Sequence, residues 1–157
     1  MAIRDYPQRL TLENRLEELD KINPWLEKAW IDFKLSDEHR FETALCIYEA
    51  VANVVMYAYQ EPDGYSIPPE PVVRNIEVSL ILHQEAIEIT IKDDGYPFNP
   101  LTTPEKKVAQ TITEAALSGR GIPLLRGLSD NLTYHRAGGY NCLSIMRSFE
   151  QRKSMHR

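Results

Sequence analysis

At 157 residues, with 43% apolar and 26% charged side chains, the chain has the size and balance of one globular domain (1–157) with a substantial core. A net charge of −5 excludes a general nucleic-acid binder, which needs a basic stripe to neutralise phosphates. No apolar run is long enough to cross a bilayer and the start, Met1-Ala2-Ile3-Arg4-Asp5, lacks a signal peptide's apolar core, so the expectation is a cytoplasmic protein with no membrane contact.

Leu10 to Trp30 carries helical periodicity (Leu12, Leu16, Leu19, Ile22, Trp25, Leu26, Ala29), with Pro24 expected to break or kink it. Ser36 is the predicted N-cap of a long helix reaching about Tyr59, with Asp37 and Glu38 favourably placed against its dipole. Phe41, Leu45, Tyr48, Val51, Ala52 and Val55 make its expected apolar face. Glu61-Pro62-Asp63-Gly64 stops the helix, and a proline-rich loop runs on through Pro71. The period then changes. Ile76, Val78, Leu80 and Leu82 alternate with polar residues, as do Ile87, Ile89 and Ile91, which predicts two strands joined as a hairpin through His83 to Ala86. Residues 99–118 are polar, with a weakly helical piece up to Leu117. A short helix over Ile122–Leu128 and a second hairpin follow, with strands near Leu132–Tyr134 and Tyr140–Arg147 and Ala137-Gly138-Gly139 as the turn. Runs of helix and runs of antiparallel strand predict an α+β two-layer sandwich, a mixed but mostly antiparallel sheet with helices on one face. Cys46 and Cys142 lie in apolar patterns and read as small buried hydrophobes; the four histidines are scattered, which argues against structural zinc.

Three short stretches carry chemistry. In the first, Glu49 and Asn53 sit one helical turn apart within the apolar run Ala44–Val55, so a carboxylate and a carboxamide share one stripe of a core helix. That pair can set a hard cation beside a proton acceptor. In the second, Ile91-Lys92-Asp93-Asp94-Gly95-Tyr96-Pro97-Phe98, Asp93 ends a buried strand and Gly95 lets the backbone turn away. A carboxylate fixed there accepts a hydrogen bond from a purine's exocyclic amine, favouring adenine over guanine; a plain Asp-Gly turn is the commoner fate of such a sequence. In the third, Ser118-Gly119-Arg120-Gly121-Ile122-Pro123, two glycines open a helix whose backbone amides can cradle phosphate. It is neither a Walker A loop nor a Rossmann fingerprint, and a lone Gly-x-Gly is also found at ordinary joints.

Each stretch has a bland explanation alone, but their order resembles the Bergerat-type nucleotide-binding fold shared by gyrase, the heat-shock chaperone ATPase, histidine kinases and mismatch-repair proteins. Within it the chain is most similar to the bacterial serine-kinase anti-sigma factors. The likeness runs through Glu49 to Asn53 with Ala58-Tyr59, Asp93 to Pro100, Gly119 to Leu125, then Leu128, Asp130, Tyr134 and Gly138-Gly139-Tyr140-Asn141, and is weakest before residue 36. It implies that Asn53 holds Mg²⁺ against the phosphates of ATP and that Glu49 is the general base for a serine hydroxyl. It implies that Asp93 reads adenine, with Gly95 shaping the turn beneath the base, and that Gly119 and Gly121 form the phosphate loop. Lys106, Lys107 and Arg120 fall where lid cations approach phosphate. One departure is Met56-Tyr57, where many relatives carry Lys-His. The resemblance further implies a homodimer whose partners are a sigma factor and an anti-sigma factor antagonist. The rival readings are a non-catalytic ATP-binding module, a sensor histidine kinase fragment and a structural protein with coincidental motifs. The second lacks a phosphoacceptor-histidine helix, His39 being too close to the first stretch.

Overall fold

Ser36 starts the longest helix as its residue type predicts: its hydroxyl accepts the His39 backbone N–H at 3.2 Å, with Asp37 and Glu38 in the first turn. This helix, α2 (Asp37–Asn53), belongs to a structure that is a computed structural model describing residues 7–59, 73–102 and 121–149. Before it come strand β1 (Gln8–Glu13), a 3₁₀ turn (Leu16–Lys21) and helix α1 (Ile22–Trp30). After it come a π-helical segment (Val54–Ala58), strands β2 (Asn75–Leu82) and β3 (Ala86–Asp93), helix α3 (Gly121–Leu128), and strands β4 (Asn131–Ala137) and β5 (Tyr140–Ser148).

The sheet has the order β1-β2-β3-β5-β4 with every pairing antiparallel, which is narrower than the mixed sheet expected. Its inner face follows from alternation. Ile76, Val78, Leu80 and Leu82 of β2, Ile87, Ile89 and Ile91 of β3, and Leu143 and Ile145 of β5 are all buried. They form one core with Ile22 and Leu26 of α1, Ile47, Ala50 and Val51 of α2, and Leu125 of α3. Each such aliphatic side chain contributes about 2 kcal/mol on burial, which fixes the strand register because a one-residue slip would turn the whole set outward. The two-residue turn between β4 and β5 places Gly138 and Gly139 at φ 61° and 83°, the left-handed geometry that matches strand twist.

Of three expectations for the helices, two are corrected. Leu10 lies in a strand, not a helix: Leu10 and Leu12 alternate inward while β1 pairs with β2, and the cross-strand ladder outweighs a helical period that really begins later. The break expected at Pro24 is present: the 3₁₀ turn ends at Lys21 and α1 begins at Ile22, with Pro24 in its first turn, where its missing N–H costs nothing. Phe41 is 63% exposed, because the buried arc of α2 runs through Thr43, Ala44, Ile47, Ala50 and Val51, rotated from the stripe expected. The weakly helical piece expected up to Leu117 lies outside the described residues.

Candidate functional site

Along the inner face of the sheet the side chains change character at one end. The apolar rows end at a row set by register, in which Asp93 of β3 lies opposite Asn141 of β5, and Asn141 opposite Arg136 of β4. Asp93 and Asn141 are buried, 2% and 3% exposed. Asp93 Oδ1 accepts two hydrogen bonds, from the Gly95 backbone N–H at 2.9 Å and from Asn141 Nδ2 at 2.9 Å. Its other oxygen, Oδ2, has no hydrogen-bond partner among the described residues. Burial raises the Asp93 pKa above the usual carboxylate range, opposed by the Asn141 and Gly95 bonds and by the charge of Arg136, while neighbouring Asp94 adds to the rise.

A cleft opens over this row. Ala50 and Val54 line it from the helix side, Ile91 and Leu143 from the sheet, and Phe98 and Pro100 from the segment after β3, with Asp93 and Asn141 at the polar end. Its lining is apolar apart from Asp93, Asn141 and Tyr134.

Gly95 is required for a reason other than a turn. A Cβ there would fall within collision distance of the Ala58 carbonyl oxygen, and the next residue, Tyr96, donates its N–H to that same oxygen at 2.7 Å. The post-strand segment is thereby seated on the end of the π-helical stretch. π-Segments commonly occur at functional sites because the widened turn re-aims nearby side chains. Here it begins one residue beyond Asn53. Tyr57, in the widened turn, packs its ring on Phe98 with centroids 5.8 Å apart, so the residue that departs from the expected Lys-His pair braces one wall of the cleft.

Glu49 and Asn53 occupy the last turns of α2, each next in sequence to a cleft-lining residue, Ala50 or Val54. Asn53 is 4% exposed. Glu49 Oε2 and Asn53 Nδ2 are buried without hydrogen-bond partners among the described residues. Unsatisfied buried polar atoms are rare, and two of them one helical turn apart point to a missing polar ligand. Turning the Asn53 amide by 180° presents its oxygen in place of the nitrogen, so the pair offers hard oxygen donors that fit a magnesium ion. Burial also raises the Glu49 pKa above its ordinary value.

Of the residues the sequence singles out, Asp93 lines the cleft and Gly95 donates its N–H to Asp93, while Glu49 and Asn53 lie at the end of α2 beside the lining residues Ala50 and Val54 in sequence. Gly121 is the first residue of α3. Gly119, Arg120, Lys106 and Lys107 lie outside the described residues. Sequence reasoning gave no role to Asn141, Tyr134 or Arg136. The available signal was the alternation of β5, in which Asn141 falls on the same inward face as Leu143 and Ile145. Among the described residues no helix is long and apolar enough to cross a membrane, and no group of three or more His, Cys, Asp or Glu could hold a metal ion.

The chain has relatives. The family model of the histidine kinase-like ATPase domain matches residues 12–147. Serine/threonine-protein kinase BtrW of Bordetella bronchiseptica is 27% identical over 121 residues, covering 77% of this chain and 79% of that protein. Among solved structures, the Acinetobacter baumannii histidine kinase AdeS aligns over 94% of this chain and 68% of that one, with 11% identity and a TM-score of 0.42.

Proposed function

We propose that this chain, which belongs to the histidine kinase-like ATPase domain family, is an ATP-dependent protein-serine/threonine kinase that acts as an anti-sigma factor in a bacterial partner-switching circuit. It transfers the γ-phosphate of ATP to a serine of an antagonist protein, and it works as a homodimer that also binds a sigma factor. The observation that carries the reading is the pair of buried atoms without partners among the described residues, Glu49 Oε2 and Asn53 Nδ2, on the helix that also supplies Ala50 and Val54 to the cleft ending in Asp93. The name of the Bordetella relative, a serine/threonine-protein kinase, supports the choice of reaction.

The chemistry divides among the residues as follows. Ala50, Val54, Ile91, Leu143 and Phe98 exclude water from the base, and Asp93 Oδ2 accepts its exocyclic amine. Asn53 would hold Mg²⁺ through its neutral amide oxygen, and the ion when bound would supply screening of phosphate charge. Glu49 Oε2 takes the proton from the attacking serine hydroxyl, which is too weak a nucleophile to proceed unassisted. Gly119 and Gly121 serve as the phosphate-loop glycines that the family resemblance assigns.

The test is phosphoserine formation on a candidate antagonist protein with radiolabelled ATP, comparing wild type with Glu49→Gln. Transfer by the wild type and its loss in a variant that still binds MgATP is the expected result. MgATP binding without transfer to any candidate antagonist would favour the non-catalytic regulatory module.

A further inference from the structure

Asn141 makes five hydrogen bonds, more than the activity just proposed has used. Its Oδ1 accepts from Tyr134 Oη at 2.6 Å, Arg136 Nη1 at 2.9 Å and the Phe98 backbone N–H at 3.2 Å. Its Nδ2 donates to Asp93 Oδ1 at 2.9 Å and to the Tyr96 carbonyl at 2.8 Å. Which end of an amide is oxygen must be settled by its partners, and here they settle it. Arg136 and the Phe98 N–H can only donate, and the Tyr96 carbonyl can only accept. The amide is therefore locked with its donor end on Asp93. Arg136, also bonded to the Gly95 carbonyl at 3.1 Å, ties the lock to the segment after β3.

We propose that Asn141 is a positioning residue for base recognition: it saturates Asp93 Oδ1 and leaves Oδ2 as the one acceptor offered to the exocyclic amine of the nucleotide base. The inference rests on the ATP-binding reading above. A base without that amine gains nothing from Oδ2, and a base with a carbonyl at that edge meets lone pair against lone pair. Other charged and titratable groups around Asp93 are Asp94 at the end of its strand, which takes Arg74 as an ion-pair partner at 3.5 Å, Arg136 on β4, Cys142 on β5, and Tyr59 after the π-segment.

The experiment compares binding of ATP with binding of purine riboside triphosphate, which lacks the exocyclic amine. Wild type is expected to prefer ATP by about tenfold or more, and Asn141→Ala to lose most of that preference, since a hydrogen bond to a charged acceptor is at stake. A purely structural role would weaken both nucleotides alike. In Asn141→Asp the two facing carboxyls must share one proton. ATP affinity in that variant should fall as pH rises through the raised pKa of the pair, whereas wild type weakens only on the acid side as Asp93 protonates. If the Asn141 variants do not fold, Arg136→Met with Tyr134→Phe decides, because together they remove two of the three donors that hold Asn141 Oδ1. A shrunken ATP preference in that double variant supports the role. Folded variants that keep the wild-type preference and pH profile overturn it and leave the ATP-binding reading intact. A wild type that binds neither nucleotide overturns both.

Discussion

Glu49 faces opposing demands. Half-burial disfavours its charged form, yet the proposed proton transfer needs that form. The sign follows. A carboxyl whose pKa is raised by folding stabilises the native state when protonated, and that contribution is lost as pH rises through the folded pKa. Phosphotransfer should run the other way, rising with pH through the same raised value. Glu49→Gln removes the conflict: its melting temperature should equal or exceed that of wild type, with MgATP binding kept and transfer reduced by about 10² to 10⁴. Thermal melts and a single-turnover assay check both halves. For Asp93 the expectation is a loss of ATP affinity in Asp93→Asn of about 10- to 100-fold by calorimetry, because the amide nitrogen can turn toward the amine that Oδ2 accepts from. Glu49, Asn53 and Asp93 were legible as candidates because each is a polar residue inside an apolar pattern. Asn141 obeys the same rule but lies in a strand whose alternation is easily read as purely structural.

At the level of elements, the sheet was easy to read and the helix ends were not. Period-two runs in β2 and β3, and paired glycines before β5, specify strands through burial and turn geometry alone. β1 was hidden because Leu12, Leu16 and Leu19 also fit a helix, and only pairing with β2 decides between them. The π-segment leaves no mark in composition. It accompanies contacts between residues far apart in sequence, the Tyr96 N–H on the Ala58 carbonyl and the bare Cα of Gly95 against it. Gly95→Ala should therefore cost about 1–3 kcal/mol in denaturant unfolding, as expected for overpacking against backbone, and should weaken ATP binding by displacing the segment after Asp93. A different joint holds α2 and α3 to the sheet. Arg147 of β5, 1% exposed, donates to the Leu128 carbonyl at 2.9 Å, Thr43 Oγ1 at 2.7 Å, the His39 carbonyl at 3.2 Å and Glu42 Oε1 at 2.6 Å. Arg147→Met leaves those acceptors buried without their donor and should destabilise by about 3 kcal/mol, read by urea titration.

Across the whole molecule, one sheet serves two purposes. Most of its inner face is core, which fixes α2 over β3 and β5; the last row is polar and becomes the end wall of the cleft. The metal-binding and base-reading candidates sit on different elements, 40 residues apart in sequence at Asn53 and Asp93, yet both depend on that single packing arrangement. The α+β class and its helix-covered sheet were readable because burial periodicity is local. The convergence of the first two motifs was readable only through their order, since nothing local in either stretch says that they meet. The central claim is that this cleft is a nucleotide site, and calorimetry with ATP, with and without magnesium, tests it most directly on wild type, Asn53→Ala and Asp93→Asn. Magnesium-dependent binding by the wild type, with Asn53→Ala losing the magnesium dependence and Asp93→Asn losing affinity, is the predicted result. A well-folded wild type that binds no ATP, or variants that bind it as well as wild type does, would contradict the account.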